Sequence, residues 1–279
     1  MSLKIESTSV TGAFVTGVDL NTLSKEQVVA LRQALGEHGV LFFRDQALSP
    51  EGHIAFAENF GDINYNRFFK PVSDYPKIVE VEKEPDQSKN IGEMWHTDHS
   101  YDQIPALGSV LVARKLPDSG GDTLFASMFL AFDALSDSLK ERLQGLTAVH
   151  SSRHAFGAAA YEEDGNDELL GRLGNTDSAQ QDAIHPIVIK HPISQKQAIY
   201  VNPDFTVRVN GVSDTESEDL LGMLYEHCQN EDFIYRFQWR SGSVAFWDNR
   251  ATWHKALNDY PGQHRLMHRI TVEGERLYA

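Results

Sequence analysis

The chain has 279 residues, of which 41% are hydrophobic, and its 40 acidic against 25 basic side chains give a formal net charge of −15. That composition supports a sizeable buried core and argues against disorder, while a surface of that sign repels phosphate backbones and excludes nucleic acid as an expected partner. A single cysteine, Cys228, excludes an internal disulfide and a cysteine-rich zinc site, and no stretch approaches the roughly 20 apolar residues of a membrane-spanning helix.

The opening residues carry no apolar run of signal-peptide type, so a cytoplasmic setting is expected. Two strands broken by glycine come first, at Leu3–Ile5 and Gly12–Leu20. Ser24 with Gln27 reads as a capping box that starts a helix, with Gly36 closing it. Val40–Phe43 is an apolar strand, and Ser49-Pro50-Glu51 starts a second helix that ends at Gly61. The aromatic stretch from Ile63 to Pro76 predicts a loop. A strand follows at Ile78–Val81, and the polar segment Glu82 to Asn90 is expected to be exposed or mobile.

Gly108–Arg114 predicts a strand, Pro117–Phe125 a glycine turn, and Phe129–Leu143 one helix. The stretch between His150 and His185 is poor in apolar periodicity, which suggests an insertion or lid around 157–184. Strands are predicted at Ile187–Ile189 and Ala198–Val201, a helix at Asp214–Gln229 with Cys228 buried on it, and strands at Ile234–Trp239 and Ser243–Trp247. Many short strands with glycine turns and a few amphipathic helices predict a mainly β protein. Its expected form is a sandwich with flanking helices, as a single domain over 1–279.

The chemistry concentrates in Trp95-His96-Thr97-Asp98. In extended backbone, alternate side chains share a face, so His96 and Asp98 point one way and Thr97 and His99 the other. An imidazole and a carboxylate side by side are two legs of a facial triad for a divalent metal, and a second histidine completes it. His254, in Thr252-Trp253-His254-Lys255, is the candidate. His150 and His154, four apart, form a weaker competing pair with no carboxylate nearby. Eleven residues after His254 the alternating run from His264 to Val272 places Arg265, Met267, Arg269 and Thr271 on one face, with His268 on the other. Two guanidiniums on one strand face build an anion site inside an acidic protein.

With Gly120-Gly121-Asp122-Thr123 and Trp247-Asp248-Asn249-Arg250 added in this order, the chain resembles the iron(II)- and 2-oxoglutarate-dependent dioxygenases of the taurine and 2,4-dichlorophenoxyacetate dioxygenase type over nearly its whole length. The resemblance implies a double-stranded β-helix core, jelly-roll and cupin-like. It implies that His96, Asp98 and His254 bind Fe(II), that Arg265 and Thr123 hold the distal carboxylate of 2-oxoglutarate, and that Arg269 meets the anionic end of the substrate. Dioxygen is then consumed and succinate and CO2 released as a carbon next to a heteroatom is hydroxylated. Tyr101, Phe156 and Phe205 are the aromatic candidates for the substrate wall.

Taurine-specific relatives carry a histidine after the Gly-Asp that matches Gly61-Asp62 and an asparagine where this chain has Gly92. No histidine occurs here between Asp62 and His96. Val149-His150-Ser151 with Phe156-Gly157 is more similar to relatives that oxidise aryloxyalkanoate acids, and that is the expected substrate class. A taurine-like sulfonate or an alkyl sulfate is the alternative. From another class, a zinc-loaded hydrolase or a non-catalytic anion-binding module would use the same three ligands. No membrane contact is expected, and the oligomeric state is open.

Overall fold

The computed structural model describes residues 2–157, 173–174 and 176–279. The chain opens with β1 (Lys4–Ser7), β2 (Ala13–Thr16), α1 (Lys25–His38), β3 (Val40–Phe43) and α2 (Pro50–Glu58). The short β4 (Ile63–Asn64) and β5 (Pro71–Val72) precede the long strands β6 (Tyr75–Lys83) and β7 (Gly108–Lys115). Next come β8 (Thr123–Ser127), α3 (Met128–Asp133), α4 (Asp137–Leu143), β9 (Thr147–Ser151) and the single turn α5 (Arg153–Phe156). Then follow β10 (Asp182–Pro186), β11 (Val188–Lys190), β12 (Gln197–Ile199), β13 (Thr206–Val209) and α6 (Asp214–Cys228). The last four strands are β14 (Ile234–Phe237), β15 (Val244–Asp248), β16 (Thr252–Ala256) and β17 (Arg265–Val272).

The large sheet runs β1-β2-β3-β15-β7-β17-β6-β5, with β4 attached to β17, and a smaller sheet runs β14-β8-β16. Side-chain alternation explains how they meet. Val40, Phe42, Leu111, Ala245, Trp247 and Met267 project from one face of the large sheet onto Phe125 and Phe237 of the smaller one. Their neighbours Leu41, Phe43, Val110, Val112, Val244, Phe246 and Ile270 project from the opposite face onto Leu31 and Leu35 of α1 and Phe56 of α2. Both faces of the sheet are covered, which is why its strands read as continuous apolar runs. Each fully buried Phe or Leu here contributes about 1.5–3 kcal/mol. Two sheets closed on a shared interior make the expected jelly roll with flanking helices. A further apolar layer packs α3 and α6 against β11 and β12 through Phe129, Phe132, Leu220, Leu224, Ile189 and Ile199.

Several expected boundaries shift. The capping box at Ser24 and Gln27 is present, but α1 runs through Gly36 and ends at Gly39, whose φ of 75° suits the left-handed cap. Gly36 serves packing instead: a Cβ there would lie 2.7 Å from Ile193. The helix from α2 stops at Glu58, ahead of Gly61. The expected helix over 129–143 is two helices, because the Ser136 side chain accepts from Leu139 N and starts a second one. The expected loop at 63–76 contributes two short strands that pair with β17 and β6. Lys83 and Asn90, expected to be exposed, are buried, with the Lys83 ammonium over the Tyr260 ring. Most of the expected lid lies outside the described residues, and its last part is strand: Asp182–Pro186 pairs with β9. Cys228 is buried on α6, where burial pushes its thiol up. Among the described residues no helix is long and apolar enough to cross a membrane.

Candidate active site

His254 sits on β16, and β16 pairs with β8, so Phe125 stands opposite His254 and Thr123 opposite Ala256. His96 is tied to the same place by a two-way backbone bridge, His96 N to His254 O at 3.1 Å and His254 N to His96 O at 2.9 Å. Extended backbone therefore holds at His96, but the chain turns at Asp98 and His99, where φ is +57°. Thr97 points away as expected and donates to Thr252 O at 2.7 Å. The turn also brings His99 to the cavity wall, against the expectation that it would face away. Its Nδ1 is held by Asp102 at 2.9 Å.

His96, Asp98 and His254 are buried, and one donor atom from each lies within 4.8 Å of the others. His96 Nδ1 donates to Met94 O at 2.8 Å, which leaves Nε2 as the lone-pair nitrogen facing Asp98 Oδ1 at 3.8 Å. His254 Nε2 lies 3.9 Å from Asp98 Oδ2. Burial alone would raise the Asp98 carboxyl, but Arg269, His254 and His96 hold it well below the usual carboxylate range. Burial and the neighbouring His96 push His254 well down, so its imidazole is neutral. The neutral His254 imidazole, the Nε2 face of His96 and the Asp98 carboxylate, clustered, fit a divalent iron.

Arg265 and Arg269 project from the inner face of β17, as alternation requires, and both are buried. Arg265 Nε donates to Gly121 O at 3.1 Å, while its Nη2 has no partner. Gly121, with φ of +69°, lets that carbonyl approach, since a Cβ there would lie 3.2 Å from Arg265 Cδ. Burial lowers the Arg265 pKa, opposed by Tyr260 and Asp122. Thr123 accepts a hydrogen bond from Trp239 Nε1 at 2.9 Å, so its own hydroxyl hydrogen is left to donate. A buried guanidinium with a spare N–H and a hydroxyl donor on the same cavity wall fit the far carboxylate of 2-oxoglutarate.

Arg269 Nη1 donates to Asp98 Oδ1 at 3.0 Å, its guanidinium lies 4.3 Å from the Phe69 ring centre, and its Nε has no partner. Ser109 Oγ donates to the other Asp98 oxygen at 2.8 Å. His96, Asp98, His254, Thr123, Arg265 and Arg269 line one cavity of about 370 Å³, whose lining also includes Tyr101, Phe156 and Phe205. Those three rings touch one another, with Tyr101 and Phe205 4.9 Å apart edge to face.

The competing pair separates: His154 lines the cavity, whereas His150 is buried against His185 and Tyr200, and neither it nor Ser151 reaches the lining. The two histidines belong to different elements, β9 and α5, so no helical face unites them. His268 is on the outer face of β17, accepting from Arg114 Nε at 3.1 Å. Sequence reasoning missed Trp239, Asn66, Met94 and Asp204. Only Asp204 had a local signal, the turn-forming Asn202-Pro203-Asp204 that follows β12.

A family model described as "Taurine catabolism dioxygenase TauD, TfdA family" matches residues 6–271. An alkylsulfatase of Acinetobacter baylyi is 34% identical over 268 residues, which cover 95% of this chain and 82% of that protein. A (S)-phenoxypropionate/alpha-ketoglutarate-dioxygenase of Sphingobium herbicidovorans is 31% identical over 267 residues, 95% of this chain and 92% of that one. The crystal structure of a taurine dioxygenase from Burkholderia xenovorans superposes with a TM-score of 0.81 at 31% identity, covering 100% of this chain and 93% of that chain.

Proposed function

The chain belongs to the TauD, TfdA family of taurine catabolism dioxygenases, and from that premise we propose that it hydroxylates a small organic anion at the carbon next to a heteroatom, after which the product falls apart. It is a 2-oxoglutarate-dependent non-haem iron dioxygenase, with Fe(II) as cofactor and 2-oxoglutarate as co-substrate. In the proposed site His96, Asp98 and His254 hold the iron. Iron bound there would supply, with dioxygen and the keto acid, the oxidising chemistry that hydroxylates the substrate and yields succinate and CO2.

The chain's own residues do the positioning. Arg265 and Thr123 grip the far carboxylate of the keto acid and so set its angle of approach to the triad. Arg269 receives the anionic end of the substrate, and Tyr101, Phe156 and Phe205 form an apolar wall that excludes water from the reacting carbon. His254 is neutral and keeps its lone pair available because no proton competes for it, and His96 presents Nε2 because its Nδ1 is bound to Met94 O. The observation that carries this reading is the buried Arg265 with an unpaired Nη2, on the same cavity as the three clustered donors. A zinc hydrolase would use the triad and leave that arginine without a task.

An aryloxyalkanoate-type acid is the proposed substrate, supported by the aromatic wall and by the phenoxypropionate-oxidising relative. An alkyl sulfate is the second reading, because the alkylsulfatase is a relative at 34% identity. The test is anaerobic titration of the apoprotein with Fe(II) and 2-oxoglutarate, followed by visible absorption, then admission of air with each anion while succinate is counted. A weak charge-transfer band that is lost in His96→Ala, and succinate that depends on an added aryloxy acid or sulfate, are expected. Folded protein with no band overturns the oxygenase assignment of the site, and a band with no anion-dependent succinate overturns the substrate class alone.

A further inference from the structure

We propose that Trp247 is the positioning residue for the iron ligand His254, and that Asn249 fixes Trp247 in that task. The inference rests on the reading of His96, Asp98 and His254 as the metal triad, and it concerns how the third ligand is aimed. The three side chains are held in different ways. His96 donates through Nδ1 to Met94 O at 2.8 Å, and Asp98 accepts from Ser109 at 2.8 Å and from Arg269 at 3.0 Å. His254 is buried, yet its Nδ1 has no hydrogen-bond partner among the described residues. A metal-bound imidazole commonly donates its second N–H to an acceptor, which fixes the rotation of the ring. At His254 that constraint has to come from packing.

Three rings supply it. The Trp247 ring lies 4.5 Å from the His254 ring, centre to centre and tilted by 45°, Phe125 stacks at 6.3 Å and 26°, and the His96 ring lies 4.0 Å away. Phe125 stands directly across from His254 in the ladder of β8 and β16, so its place follows from that sheet. Trp247 reaches His254 from β15, across the interior that the two sheets share. The orientation of its indole is set by one hydrogen bond, from Nε1 to Asn249 Oδ1 at 2.9 Å. Asn249 is buried in its turn, and its own N–H donates to Leu107 O at 2.9 Å, so the acceptor stands on fixed backbone. Rotation of the His254 ring about its Cβ–Cγ bond would drive it into the indole, and a close-packed interior resists that overlap. Trp247 also lines the cavity, so metal binding has to be measured apart from substrate.

The experiment is calorimetric titration of the apoprotein with Co(II), without 2-oxoglutarate or substrate, with the visible bands of bound Co(II) recorded at the end point. His254→Ala is the control for the triad: it is expected to weaken Co(II) about 100-fold, and an unchanged affinity overturns the triad reading and this inference with it. Trp247→Leu removes the ring and is expected to weaken Co(II) about 10-fold, with the bands moving towards those of His254→Ala. Trp247→Phe keeps a ring and is expected to hold the affinity within about threefold of wild type. Asn249→Ala is expected to cost about threefold in wild type and nothing in the Trp247→Phe background, where no indole N–H is left to hold. Wild-type affinity and bands in Trp247→Leu, or an Asn249→Ala effect that is equal in both backgrounds, overturns the positioning role and leaves the triad standing. Thermal melting checks the fold, and if Trp247→Leu does not fold, the Asn249→Ala comparison in the two backgrounds decides.

Discussion

The cavity has two walls built in different ways. On one, His254, Thr123, Arg265 and Arg269 stand on strands β16, β8 and β17, each locked by a ladder of backbone hydrogen bonds, and Thr123, Arg265 and Arg269 also have a fixed side-chain or carbonyl partner. On the other, Tyr101, Phe156 and Phe205 stand on turns or on the four-residue α5 and pack against one another, with Asp204 beside Phe205 in its turn. Strands spaced by a ladder hold charged groups to within a fraction of an ångström, which metal and keto-acid binding require. Turns can change their side chains without disturbing the sheet, which suits them to choosing a substrate. In the proposed assignment the keto-acid partners and Arg269 thus stand on the strand wall, while the apolar contacts to the substrate come from the turns.

The largest expected effect falls on the strand wall. Arg265→Ala removes the charged partner of a desolvated carboxylate, a loss of about 2–5 kcal/mol, so the 2-oxoglutarate concentration for half-saturation should rise about 100-fold. The preference among primary substrates should not move. Steady-state kinetics in 2-oxoglutarate check this, and a shift in substrate preference instead would merge the two walls. A smaller effect of opposite character is expected from Phe205→Leu: about tenfold in KM for an aryloxy acid, with 2-oxoglutarate affinity unchanged, because only apolar contact with the substrate is lost. If 2-oxoglutarate affinity fell equally, the turns would be shaping the strand wall as well.

The smallest effect sharpens the comparison within the strand wall. Trp239→Phe removes the donor that orients the Thr123 hydroxyl. One neutral hydrogen bond is worth about 1 kcal/mol, so 2-oxoglutarate affinity should drop about fivefold with no change in the substrate term. Titration of the charge-transfer band measures it. An unchanged affinity would mean that Thr123 does not donate to the keto acid.

How much was legible depended on how local the cause was. The helix start at Ser24 is written in adjacent residues, since a capping box satisfies its own backbone donors. The shared face of Arg265 and Arg269 follows from a period of two along one strand. Gly36 misled because its small size answers to Ile193, more than 150 positions away, and not to its own helix. His99 misled because a left-handed residue breaks the alternation that the reading relied on. Trp239 was invisible as a site residue, and the turn signal at Asn202-Pro203-Asp204 did not say what Asp204 would face.

The sequence by itself determined the residue types and their local periodicities: a His-x-Asp pair, a later histidine, two arginines on one strand face, and apolar runs long enough to cover a sheet on both sides. The tertiary structure alone decided that His96 pairs backbone to backbone with His254, that Arg265 keeps an unpaired N–H, and that Asp204 faces the cavity. The physical reason is that spacing along a strand or helix is set by backbone geometry within a few residues, whereas a site is completed by pairings between segments that only the closed sheets bring together.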